Sequence, residues 1–207
     1  MNIKVCGITK MEQLIQLDKM EIDYAGLVFD GKSGADMRSM INPKELTALS
    51  LDIQIVGRFK NCSIDTILQS IDDYRFNIVQ IDNPLSVSEC GLLTEQVELI
   101  KTIHLKEGGM DDALRLLELY DEVSDYYCFD MMQGHSFPWN MPNELPIEKP
   151  FFIGGSWLIP ADANILHRYH HPDFYGIDIG KSFEKAPGDM DTALILSFLR
   201  SVHQVDN

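Results

Sequence analysis

Apolar positions cluster into short runs rich in Val, Ile, Tyr and Phe that recur about every two dozen residues, with helical spacing of apolar residues between most of them. Eight such runs are IKVCGI (3–8), YAGLVF (24–29), IQIVGRF (53–59), NIVQID (77–82), ELIKTIHL (98–105), YYCFDM (126–131), FFIGG (151–155) and FYGIDI (174–179). Most are continuously apolar rather than alternating, the pattern of parallel strands covered on both faces. The connectors MEQLIQLDKM, SIDTILQSIDDY, MDDALRLLELY and MDTALILSFLRSV place apolar residues three and four apart, with acids or Ser near their starts. Strand and helix therefore alternate. Eight such units predict a (β/α)8 TIM barrel at the compact end of its size range, with an open doubly wound sheet as the alternative. The sixth unit departs from the pattern: PWNMPNELPIEKP holds four prolines and little helical periodicity, so its helix is expected to be short or replaced by a loop.

The 207 residues suffice for one sizeable core and are short for two, and no repeat, low-complexity tract or linker divides them, so a single domain over 1–207 is expected. At 45% apolar and 24% charged residues the composition is that of a soluble globular chain. No stretch approaches the ~20 apolar residues of a membrane span, and the first ten residues lack the pattern of a signal peptide, which leads to a cytoplasmic expectation. Cys6, Cys62, Cys90 and Cys128 stand far apart with no CxxC pair, so neither a disulfide framework nor a metal site is expected, and a thiol redox protein is disfavoured. The net charge of −15 argues against nucleic acid or an anionic membrane as partner. An anionic ligand would need placed cations or backbone N–H groups.

In such a barrel the chemistry sits at the C-terminal strand ends. The residues there are Cys6, Arg58, Asp82, His104, Asp130, Gly154 with Gly155, and Asp178, followed in the loops by Lys32, Arg38 and Lys181. Cys6 taken alone reads as a small buried hydrophobe. Asp130 and Asp178 each follow an apolar strand, where an isolated carboxylate is costly, so each needs a task or a loop to anchor. IGGSWLIPADANI reads as a strand, a Gly-Gly turn and a helix entered through Pro160. After a seventh strand, with GKSFEKAPG after the eighth supplying Gly180, Lys181 and Ser182, it is a candidate phosphate site. His104, His135, His167, His170 and His171 show no metal-ligand spacing, and the last three are expected on a solvated surface. Trp139 and Trp157 lie in site-face loops, to stack on a ligand or pack on the rim.

These pieces in order, KVCGIT, DYAGLVF with a nearby KS and Arg, VGRFKN, IVQ, FD, IGG and GIDI…FEKAPGDMD, resemble the phosphoribosylanthranilate isomerase family of tryptophan biosynthesis over nearly the whole chain. The resemblance implies an Amadori rearrangement of a phosphoribosyl anthranilate with no cofactor and no metal, by a monomer or homodimer. It implies Asp130 as general acid, Cys6 as general base, Arg38 on the anthranilate carboxylate, Asp178 on a ribose hydroxyl, and Gly154, Gly155, Gly180, Lys181 and Ser182 around the phosphate. Departures from the family pattern stand beside it. QIDN replaces Gln-Leu-His-Gly, so Asp82, a candidate substrate-binding residue, puts an acid near an anionic substrate. The loop GKSGADMR is longer, making Lys32 an alternative cation. The stretch after the sixth-strand acid is cut down to MMQGHSFPW, and GKSF replaces Ser-Ser-Gly-Val. The competing expectation is therefore a diverged barrel that acts on another sugar phosphate or binds one without catalysis.

Overall fold

In the computed structural model, which describes residues 1–31, 41–82, 84–105, 109–131, 139–155 and 158–203, each of the eight apolar runs carries a strand. These are β1 (Asn2–Cys6), β2 (Tyr24–Asp30), β3 (Gln54–Lys60), β4 (Ile78–Ile81), β5 (Glu98–Leu105), β6 (Tyr126–Met131), β7 (Phe151–Gly154) and β8 (Phe174–Ile179). Every neighbouring pair is parallel, and β8 pairs back onto β1, closing the barrel. The (β/α)8 expectation holds.

Helices follow the strands: α1 (Met11–Lys19), α2 (Pro43–Ala48), α3 (Ile64–Tyr74), α4 (Val87–Thr94), α5 (Met110–Tyr120), α6 (Met141–Glu144), α7 (Ala163–Leu166) and α8 (Thr192–His203). Their ends follow local chemistry. Ser63 accepts from the Thr66 N–H to open α3, which closes on Arg75 in the left-handed conformation at φ 54°. Ser86 and Glu89 make a reciprocal capping box at α4. The expected irregular sixth helix is the four-residue α6. The seventh is entered through a 3-10 turn at Pro160–Asp162, which leaves only one turn of α-helix.

The last helix begins later than its apolar spacing predicts. Residues 184–190 form a hairpin of β9 (Glu184–Ala186) and β10 (Asp189–Met190), in which Met190 pairs with Glu184. Asp191 Oδ1 then accepts from Leu194 N at 3.0 Å, so the helical pattern counted from Met190 starts at Thr192.

Side chains alternate across each strand, so the barrel has two cores. Between strands and helices, Ile3, Val5, Leu27 and Phe29 pack with Leu14, Leu17, Ile67 and Phe198. Inside the barrel, Tyr24, Val56, Ile78, Ile100, Cys128 and Phe152 form an apolar floor. Two residues further along the same strands the inward positions turn polar: Arg58, Gln80, Thr102 and Asp130 stand above Val56, Ile78, Ile100 and Cys128. The barrel is thus plugged by apolar side chains below and lined by ionisable groups at its C-terminal mouth, at a burial worth about 1.5 to 3 kcal/mol for each large apolar side chain.

Candidate active site

The mouth is organised around two buried cations. From β1, Lys4 sits beneath Cys6 on the same inward face and lies 2.8 Å from Asp178 Oδ2, both side chains being 1% exposed. From β3, Arg58 directs Nε to Asp82 Oδ2 at 2.9 Å, with Nη2 2.8 Å from the same oxygen. Nη2 also lies 3.3 Å from Asp130 Oδ2, while Nη1 lies 3.6 Å from Cys6 Sγ and 3.7 Å from Asp178 Oδ2. Two cations with desolvated side chains, with the half-exposed Lys60 3.5 Å from Asp82 Oδ2 as a third, thereby face three carboxylates, as buried charges require.

Burial alone would lift Asp82, but Arg58, a hydrogen bond from Thr102 and Lys60 together hold its carboxyl down at about 2. Asp130 goes the other way. Burial, reinforced by Asp82 and Asp178 and opposed by Arg58 and Lys60, raises it to about 6. Its Oδ1 is buried with no hydrogen-bond partner among the described residues, a position that favours the protonated carboxyl. The two carboxyls therefore titrate far apart: burial dominates at Asp130, whereas the oxygens of Asp82 are saturated by Arg58, Lys60 and Thr102.

Glycines make the space. A Cβ on Gly155 would lie 1.6 Å from Asp130 Oδ1, and its φ of +116° is one that side chains disfavour. A Cβ on Gly26 of β2 would lie 2.7 Å from Cys6 Sγ, so that position must stay bare for the thiol to sit above it.

A cavity of about 270 Å³ opens here, lined by Cys6, Arg58, Asp130, Asp178, Gly155, Gly180 and Lys181 among others. The structure thus brings Cys6, Asp130, Asp178, Gly155, Gly180 and Lys181 to one space. Gly154 lies within β7, in register with Asp130 and Asp178, where a Cβ would meet Asp178 Cβ at 2.4 Å; it permits close strand packing rather than lining the cavity. Ser182 belongs to the short 3-10 turn Lys181–Phe183 beside it. Lys32, Arg38, His135 and Trp157 lie outside the described residues. Asp82 stands at the mouth with its side chain 3% exposed, engaged by Arg58, Lys60 and Thr102, so the acid in QIDN is neutralised from within the protein.

Other candidates resolve into packing. Trp139 rests against Tyr169, ring centroids 5.8 Å apart, on the rim. His171, expected on a solvated surface, packs edge-on against Phe151 at 5.0 Å, its side chain 10% exposed. Lys4, Gln80 and Thr102 carried no functional expectation. The available signal was a polar residue in the inward phase of an apolar strand, two positions from Cys6, Ile78 and Ile100.

Fold and mouth together define a (β/α)8 barrel carrying an acid–base cluster at its strand ends. A family model described as N-(5'phosphoribosyl)anthranilate (PRA) isomerase matches residues 3–201, and the chain belongs to that family. It is 25% identical over 210 residues to N-(5'-phosphoribosyl)anthranilate isomerase of Parabacteroides distasonis, with 98% of this chain and 93% of that one covered. Among solved structures it is similar to the monomers generated from the dimeric phosphoribosylanthranilate isomerase of Thermotoga maritima, with a TM-score of 0.77, 24% identity and 98% of both chains covered. It is also similar to a phosphoribosyl anthranilate isomerase in complex with reduced 1-(o-carboxyphenylamino)-1-deoxyribulose 5-phosphate, with a TM-score of 0.76, 23% identity and 98% of both chains covered. At these identities the two structures speak for the fold. No described helix is long and apolar enough to cross a membrane.

Proposed function

We propose that the chain catalyses the Amadori rearrangement of N-(5-phosphoribosyl)anthranilate to 1-(2-carboxyphenylamino)-1-deoxyribulose 5-phosphate in tryptophan biosynthesis. It would do so as one cytoplasmic domain without cofactor or metal, as a monomer or homodimer. The observation that carries the reading is that a thiol, Cys6, and a carboxyl held near neutrality, Asp130, line the same cavity from opposite sides of the barrel. The rearrangement needs this pair.

Asp130 is the acid: it gives its proton to the ribose ring oxygen as the C1–O bond breaks, and the anilino nitrogen's electron pair forms the C1–N double bond of a Schiff base. Cys6 as thiolate then takes the proton from C2. The C2–H electron pair becomes a C1–C2 double bond and the nitrogen recovers its lone pair; tautomerisation of this enolamine yields the amino ketose. Substrate and product are isomers: Asp130 has given one proton and Cys6 has taken one, and a proton passed from Cys6 to Asp130 through solvent restores both groups. Lys4 beneath the thiol and Arg58, its Nη1 3.6 Å from Sγ, set positive charge beside it. Asp178, whose Oδ1 accepts no hydrogen bond among the described residues, is assigned to a ribose hydroxyl.

Gly155 and the turn from Gly180 through Lys181 to Ser182 are assigned to the phosphate, with Gly154 letting β7 and β8 approach, and Lys181 adding a point charge where the overall field is repulsive. Asp82 is reassigned from the substrate to Arg58. Arg38 or Lys32 remains assigned to the anthranilate carboxylate. Loss of the substrate's fluorescence on adding purified protein tests the reading. A folded, inactive wild type contradicts it, and rescue of a tryptophan auxotroph discriminates it from a barrel serving another sugar phosphate.

A further inference from the structure

We propose that Arg58 is the positioning residue of this site, holding the Cys6 thiol and the Asp130 carboxyl in one frame through a guanidinium locked from β4 and β5. The proposal rests on the acid–base assignment above.

The lock is a closed circuit of hydrogen bonds and ion pairs inside the barrel. Arg58 Nε and Nη2 converge on Asp82 Oδ2 at 2.9 and 2.8 Å, which fixes the guanidinium plane. Asp82 Oδ1 accepts the Thr102 hydroxyl at 2.5 Å, and the Thr102 oxygen accepts from Gln80 Nε2 at 3.0 Å. Gln80 Oε1 in turn accepts from Lys4 Nζ at 2.5 Å, and Lys4 Nζ lies 2.8 Å from Asp178 Oδ2. Arg58 Nη1, 3.7 Å from that oxygen, closes the loop. Thr102 has one proton to give and it goes to Asp82, so the direction of its neighbours' hydrogen bonds is set.

The guanidinium edges left over from Asp82 point at the two reacting groups. Nη1 is 3.6 Å from Cys6 Sγ and Nη2 is 3.3 Å from Asp130 Oδ2. These contacts are longer than those to Asp82, and the difference matters. A tight, saturated pair would keep Asp130 ionised and unable to give a proton, as Asp82 is held at about 2, whereas Asp130 stays near about 6. Arg58 is fastened to Asp82 and merely offered to Cys6 and Asp130. Cys6 is faced by Lys4 from its own strand, Arg58 from β3, Asp130 from β6 and Asp178 from β8, with Lys60, Lys181 and Glu184 across the cavity. Of the described cations, Arg58 is the one whose contacts span both groups.

The test compares wild type with Arg58→Met, Arg58→Lys and Thr102→Val. It reads the rate of Cys6 alkylation by iodoacetamide, resolved by peptide mass spectrometry, and kcat and KM against pH. Because the thiolate is the alkylated form, Arg58→Met is expected to slow Cys6 alkylation at neutral pH by at least about fivefold and to lower kcat far more than it changes KM. Arg58→Lys should recover part of both. Thr102→Val, which leaves every residue lining the cavity in place, should shift the pH profile of kcat while KM stays within about twofold.

Cys6 alkylation and a pH profile like those of the wild type in Arg58→Lys and Thr102→Val, with only thermal stability reduced, would overturn the proposal and leave a purely structural ion pair. Those two variants decide the matter if Arg58→Met does not fold. A wild type that leaves the anthranilate substrate unchanged would count against the assigned reaction, while the alkylation arm would still decide the role of Arg58.

Discussion

At the residue scale the account turns on carboxyls of the same type in different surroundings. Asp82 has both oxygens taken; Asp130 has one oxygen facing Arg58 at 3.3 Å and one with no hydrogen-bond partner among the described residues. Their linkage to pH has opposite signs. Asp82, lowered from 3.8 to about 2, contributes stability that is present above 3.8 and lost as pH falls toward 2. Asp130, raised from 3.8 to about 6, is a liability when ionised: it destabilises progressively as pH rises from 3.8 through about 6. Asp130→Asn should therefore be more stable than wild type above pH 6 by roughly 1 to 3 kcal/mol, an advantage that disappears in acid, as measured by denaturant unfolding across pH. The same substitution removes the proposed acid, so kcat should fall by about 10² to 10⁴, as it should for Cys6→Ser, the proposed base. A gain in stability together with a loss of turnover is what a functional carboxyl kept in a poor environment predicts. A loss of both would make Asp130 a structural anchor.

At the element scale the strands were legible because most of each run is apolar, and a parallel barrel strand is covered on both faces. The hairpin β9–β10 was not: strands of three and two residues, Glu184–Ala186 and Asp189–Met190, are too short to show a period, and Met190 read as the first apolar position of α8. The loop after β7 carries the tightest constraint. Gly155→Ala would place a Cβ 1.6 Å from Asp130 Oδ1 at φ +116°, so either the loop or the carboxyl must move. The expected result is a loss of about 1 to 3 kcal/mol in stability, together with a kcat reduced well beyond what unfolding explains. Ser86→Ala serves as its counterpart. It removes the capping box of α4, whose residues are not among those lining the cavity, and should cost about 1 kcal/mol in a thermal or denaturant melt with kcat unchanged.

At the scale of the whole molecule, closure of the barrel brings Cys6, Arg58, Asp130 and Asp178, up to 172 residues apart in sequence, to one mouth. Register does this: Lys4 stands opposite Asp178, Arg58 opposite Gln80, and Asp130 opposite both His104 and Gly154. The pair proposed to react was singled out by the resemblance carried by KVCGIT and FD, and the loops proposed to hold the phosphate by their order after β7 and β8; the structure sets Cys6, Asp130, Gly155, Gly180 and Lys181 around one cavity. The circuit that fixes Arg58 was not, because Lys4, Gln80 and Thr102 gain meaning only when three separate strands turn the same face inward at the same height. The replacement of a histidine by Asp82 read as an obstacle to an anionic substrate; in three dimensions its charge is absorbed by Arg58, Lys60 and Thr102.

The most direct measurement is turnover of N-(5-phosphoribosyl)anthranilate by the purified chain, followed as loss of substrate fluorescence, with Cys6→Ser and Asp130→Asn run beside it. Steady turnover by the wild type that all but vanishes in both variants is the predicted result. A folded wild type that leaves the substrate unchanged, or a Cys6→Ser variant as fast as the wild type, would contradict the account.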